Sequence, residues 1–111
     1  GIISSNDEIQ TLVFDEVDAG ISGQTAIKAG EKLKSLSFNK QILCISHSPQ
    51  IVAKADHHYI IIKESLSDET VATIKYLKDT NMRIEALAKL IDGDTITAQG
   101  REHAKKIIEN I

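Results

Sequence analysis

Apolar and polar positions change period several times along the chain, and each change predicts an element. Thr11 to Phe14 is an unbroken β-forming run that stops abruptly at Asp15 and Glu16, as expected for a buried strand delivering carboxylates to a sheet edge. From Gln24 to Leu36 the period becomes helical: Ala26, Ile27, Gly30, Leu33 and Leu36 share one face, and Lys28, Glu31, Lys32 and Lys34 lie opposite. Phe38-Asn39-Lys40 turns the chain into Gln41 to Ser46, apolar on both faces like a central parallel strand. Pro49, suited to a first helical turn because its missing N–H has no helical partner there anyway, opens a short helix through Ala55 packed by Ile51, Ala53 and Ala55.

A third strand is predicted at Tyr59 to Lys63, then a polar turn at Glu64 to Glu69. Val71 to Tyr76 alternates like an edge strand with one wet face. Two helices close the chain, about Asn81 to Ile91 and about Thr97 to Asn110, separated by Asp92-Gly93-Asp94 with Gly93 as the stop. Their inner faces are Ile84, Leu87, Ala88 and Ile91, and Ala104, Ile107, Ile108 and Ile111. Strand, helix, strand, helix, strand predicts a right-handed, doubly wound α/β arrangement with a mostly parallel sheet. No repeat or linker interrupts it, so residues 1–111 are expected to form a single domain.

Composition narrows the partners. The 111 residues are 41% apolar and carry a net charge of −3, without the clustered Lys and Arg on which strong nucleic-acid binding rests. DNA would have to be held elsewhere. Only Phe14, Phe38, Tyr59 and Tyr76 are aromatic, so the expected core is aliphatic. The single cysteine, Cys44, excludes an internal disulfide, suits a reducing cytoplasm and reads as a small buried hydrophobe. No apolar stretch is long enough for a membrane span and no signal peptide is visible. The start Gly1-Ile2-Ile3, without Met, suits a piece of a longer protein.

Ligands of such sheets bind beyond the carboxyl ends of the strands. Asp15 and Glu16 end the first strand and His47 follows the second, so all three are expected at one crevice. Carboxylates there call for a positive partner, above all a metal ion. An apolar strand ending in Asp-Glu is the Walker B pattern of nucleotide hydrolases: the Asp helps hold Mg²⁺, and the Glu can deprotonate an attacking water. By itself the pattern is weak, and solvated acids at a strand end are the bland alternative. His47 can donate a hydrogen bond to a phosphate oxygen, although a turn histidine is the ordinary reading. The loop Asp18, Gly20, Ser22 and Gly23 adds a carboxylate on a glycine-rich turn. His57 and His58 lack a third ligand at metal spacing and read as surface or edge histidines, and His103 as solvated.

Phe14-Asp15-Glu16-Val17-Asp18-Ala19-Gly20-Ile21-Ser22-Gly23, followed by Cys44-Ile45-Ser46-His47-Ser48-Pro49-Gln50-Ile51-Val52-Ala53, resembles the C-terminal part of the ATPase head of the RecN family, bacterial DNA-repair relatives of the structural-maintenance-of-chromosomes (SMC) proteins. The resemblance covers most of the chain and implies the C-terminal half of a P-loop, ABC-type head. It implies that Asp15 is the Mg²⁺ carboxylate, Glu16 the catalytic base and His47 the switch histidine sensing the γ-phosphate. Asp18, Gly20, Ser22 and Gly23 would lie in the D-loop along the interface between two heads. Also implied are two ATP molecules sandwiched in a head homodimer, an N-terminal head segment in cis, and DNA engaged by the full-length protein in double-strand-break repair at the nucleoid.

The 111 residues depart from a complete head. They hold no Gly-x-x-x-x-Gly-Lys-Ser/Thr loop: six residues separate Gly23 from Gly30, and Glu31 follows Gly30. A Leu-Ser-Gly-Gly-type signature is missing too, so this segment alone is expected to be inactive. Two other readings stand beside the ATPase. Glu16 and Asp18 form an acid-x-acid pair, as in metal-dependent nucleases and topoisomerase-primase domains, but that chemistry needs another carboxylate at a neighbouring strand end, where Ser46-His47 and Lys63-Glu64 stand. The other is a non-catalytic interaction domain whose closing helices bind a partner.

Overall fold

The computed structural model describes residues 10–15 and 23–109, as α/β with two small sheets. The chain divides into two compact units, Gly1–Lys54 and Ala55–Ile111.

In the first unit, β1 (Thr11–Asp15) and β2 (Gln41–Ile45) pair in parallel, from Thr11 opposite Gln41 to Asp15 opposite Ile45. Between them runs α1 (Gly23–Leu36), which buries Ala26 and Gly30 and leaves Ile27 exposed. The short α2 (Pro49–Val52) starts at Pro49 as anticipated but stops before Ala55, with Ala53 as its C-cap. α2 packs on α1 where Gly30 lacks a side chain. A Cβ at Gly30 would come within 3.3 Å of the Gln50 carbonyl and 3.4 Å of the Ile51 Cα.

Both strands are less buried than their apolar runs suggest. Register places Val13, Leu43 and Ile45 on the same face of the pair, and all three are exposed; Leu12, Phe14 and Ile42 on the other face are half-buried. Cys44 is likewise exposed, which corrects the expectation of a buried hydrophobe. An apolar run in a strand records which environment the strand suits, and covering both faces takes further layers of structure.

In the second unit, β3 (Tyr59–Leu66) and β4 (Glu69–Tyr76) form an antiparallel hairpin, Tyr59 opposite Tyr76 and Leu66 opposite Glu69. The polar stretch expected to be a turn is mostly strand, and the reversal is confined to Ser67-Asp68. Ser67 carries φ 53°, the left-handed conformation that matches the twist of a two-residue hairpin. Among the described strands the mostly parallel sheet is thus one parallel pair, and β3 pairs with the strand after it.

Asp79 caps α3 (Thr80–Asp92), its carboxylate accepting the Met82 N–H at 2.8 Å. Gly93, at φ 81°, ends the helix as expected. α4 (Ala98–Glu109) packs on α3 and buries Gly100 and Ala104. The link is polar: the Asp92 carboxylate accepts the Thr97 N–H and hydroxyl, both at 2.9 Å, while Thr97 Oγ1 accepts the Gly100 N–H at 3.0 Å. These bonds hold the Asp92 carboxyl below the usual carboxylate range. His58 is buried, against the reading of a surface histidine, whereas His57 and His103 are exposed. No helix among the described residues is long and apolar enough to cross a membrane.

Candidate functional site

Parallel pairing decides what the first unit brings together. With Asp15 opposite Ile45, both strands finish at the same edge, and the chain leaving β2 goes directly through Ser46 to His47. The Asp15 carboxylate and the His47 turn therefore belong to one carboxyl edge, where α/β sheets hold their ligands. Asp15 and His47 are both exposed.

The turn carrying His47 is braced by its neighbours. The Ser46 hydroxyl oxygen accepts the Ser48 N–H at 3.0 Å, and the Ser48 hydroxyl donates to Gln50 Oε1 at 3.1 Å. Ser48 is extended (φ −86°, ψ 119°), as the following proline requires, and its carbonyl accepts the Val52 N–H at 2.9 Å to open α2. Ser46, Ser48 and Gln50 thus fix the backbone on either side of His47. Sequence reasoning placed Ser46 in the second strand and Gln50 in the short helix and gave the side chains of Ser46, Ser48 and Gln50 no role, although Ser-x-Ser ahead of Pro is a recognisable side-chain-to-backbone turn. Gly30 was read only as a helix-face position; it also seats α2, and with α2 the turn, against α1.

Glu16, Asp18, Gly20 and Ser22 lie outside the described residues. Gly23 is the exposed first residue of α1. The described edge supplies one carboxylate and one imidazole, and no cluster of three or more His, Cys, Asp or Glu suited to a metal occurs among the described residues. That donor set fits Mg²⁺ rather than zinc, because Mg²⁺ keeps several waters and binds through one or two carboxylates together with substrate phosphates.

No family model matches the chain. Curated relatives do, among them the DNA repair protein RecN of several bacteria. The chain is 37% identical to that of Halalkalibacterium halodurans over 108 residues, 97% of this chain and 19% of the relative. Identity to the protein of Rickettsia conorii is 45% over 98 residues, 88% of this chain and 18% of the relative. For Bacillus subtilis it is 35% over 108 residues, again 97% and 19%. The matched region is a C-terminal part of these relatives, and the chain spans about a fifth of their length. A solved SMC ATPase, described in terms of ATP-driven dimerization and DNA-stimulated activation, superposes with a TM-score of 0.60 at 18% identity, over 80% of this chain and 52% of that one. The fold is that of part of such a protein.

Proposed function

From the similarity to a C-terminal part of RecN, we propose that this chain is the C-terminal segment of a RecN-like ATPase head, acting in recombinational repair of DNA double-strand breaks. The observation that carries the reading is the parallel register that ends Asp15 and the His47 turn at one carboxyl edge, the arrangement a Walker B carboxylate and a phosphate-sensing histidine require.

In this reading the Asp15 carboxylate is a ligand of Mg²⁺, which when bound neutralises charge developing on the phosphate oxygens. The Glu16 carboxylate accepts a proton from the attacking water. His47 donates a hydrogen bond to the γ-phosphate, and the Ser46, Ser48 and Gln50 bonds hold its backbone in place. Asp18, Gly20, Ser22 and Gly23 form the D-loop against a second head. The phosphate loop comes from an N-terminal head segment of the same protein, and DNA is engaged by the whole protein. Catalysis is then placement and electrostatics, with no covalent intermediate on the protein.

Glu16→Gln in the full-length protein tests this. It keeps size and hydrogen bonding but removes the base, so the expected result is a hydrolysis rate reduced by at least about a hundredfold, with ATP retained in a stable head dimer. Unchanged turnover removes Glu16 from the mechanism.

A further inference from the structure

We propose that Ser46 is a positioning residue for ATP hydrolysis: its hydroxyl oxygen, by accepting the Ser48 N–H across His47, sets the direction in which the imidazole leaves the backbone. The inference rests on the reading of the carboxyl edge as part of an ATPase site, and it names the side chain through which His47 is controlled.

The gap to be spanned is short. The β1–β2 ladder holds the chain as far as Ile45. From Ser48 onward the backbone is fixed again: Pro49 keeps Ser48 extended, and the Ser48 carbonyl accepts the Ile51 and Val52 N–H groups at 3.2 and 2.9 Å. Ser46 and His47 join these two fixed segments, with neither helix nor strand geometry of their own. The 3.0 Å bond from the Ser48 N–H to Ser46 Oγ closes a ring that contains His47, so it restrains the φ and ψ of that residue directly.

The other contacts around the turn act from one side only. The Ser48 hydroxyl donates to Gln50 Oε1 at 3.1 Å, wholly on the α2 side of His47. Gly30 likewise seats α2, through its approach to Gln50 and Ile51. Both steady the helix start, but neither crosses the histidine. Burial matches this division: Ser46 and Ser48 are half-buried, while His47 between them is exposed at the edge that Asp15 shares.

An imidazole that senses a phosphate needs its N–H donor within about 3 Å of the oxygen. A small rotation of the backbone is enlarged along the side chain, and misplacement by about 1 Å costs up to about a hundredfold in rate. In P-loop enzymes the phosphate loop supplies most of the hold on the nucleotide. A misdirected His47 therefore slows turnover more than it weakens binding.

The test is a double-substitution cycle in the full-length protein, read as ATP hydrolysis, with single-turnover rates for the slowest variants. Ser46→Ala removes the acceptor, and Ser46→Thr keeps it on a β-branched residue suited to a strand end. Ser46→Ala is expected to lower kcat about tenfold with KM for Mg·ATP changed by less than about twofold, and Ser46→Thr to restore kcat to within about threefold. In a His47→Ala background, Ser46→Ala is expected to cost nothing further, because it acts through the imidazole. Ser46→Cys, close in size but a weak acceptor, repeats the measurement if the alanine variant fails to fold. Unchanged turnover in Ser46→Ala, a threonine variant as slow as the alanine one, or a further loss of about tenfold without His47 overturns the proposal. His47→Ala hydrolysing ATP at the unsubstituted rate overturns the role of His47 as well, whereas the other failures leave that role standing.

Discussion

At His58 an imidazole is held neutral by two effects acting together. The side chain is only 7% exposed, with Nδ1 buried and without a hydrogen-bond partner. Burial, reinforced by the nearby Arg83 guanidinium, pushes its pKa down from 6.5 to about 4. Arg83 is anchored there, its Nη2 donating to the Ala55 carbonyl at 3.0 Å. The folded pKa lies below the unfolded one, so between those values the unfolded chain binds the extra proton and stability falls as pH falls. The His58 contribution is complete above pH 6.5 and is lost as pH drops toward about 4. Urea midpoints measured between pH 7 and pH 5, above the carboxylate range, are expected to fall for the unsubstituted chain and to stay nearly flat for His58→Leu. Adjacent histidines at a strand entrance give no sequence cue to which one is buried. That choice is made by the fold, which brings His58 beside Arg83, twenty-five positions away on another element.

Among elements, those with a local physical signature were legible and those settled by pairing were not. Pro49 opened α2 and Gly93 closed α3 because each acts on its own backbone. By contrast, Glu64 to Leu66 and Glu69-Thr70 look like loop but continue β3 and β4, since cross-strand hydrogen bonds outweigh weak local preference. The carboxyl edge holding Asp15 and His47 was also legible, because alternating strand and helix forces parallel strands to end together. The bonds bracing the His47 turn were less so, as they depend on side-chain geometry. Gly30 supplies the prediction at this scale. A branched side chain there must displace the α2 backbone at Gln50 and Ile51, whereas Lys54, also within reach, can swing away. Gly30→Val is therefore expected to cost about 2 kcal/mol through overpacking, more than the helix propensity it regains. Thermal unfolding of the 111-residue chain measures this. Because α2 carries the chain away from His47, ATP turnover of the full-length variant is expected to fall as well.

At the scale of the whole molecule, the proposed nucleotide site has one edge in these 111 residues, without a phosphate cradle. Backbone amides of a glycine-rich loop and its lysine supply most of the affinity for the β- and γ-phosphates in P-loop enzymes. The 111 residues contain no such loop. What the described edge offers, the Asp15 carboxylate, repels phosphate until Mg²⁺ screens it, and a single imidazole at His47 cannot compensate. The 111-residue chain is thus expected to bind Mg·ATP no more tightly than about millimolar, with tight binding confined to the longer protein. Titration calorimetry of both decides it, and a micromolar site on the short chain would mean that residues outside the P-loop scheme hold the nucleotide. Asp15→Ala discriminates further. In the longer protein it is expected to weaken Mg²⁺-dependent binding and abolish turnover while leaving the fold intact, because Asp15 is exposed at a strand end and its removal opens no cavity.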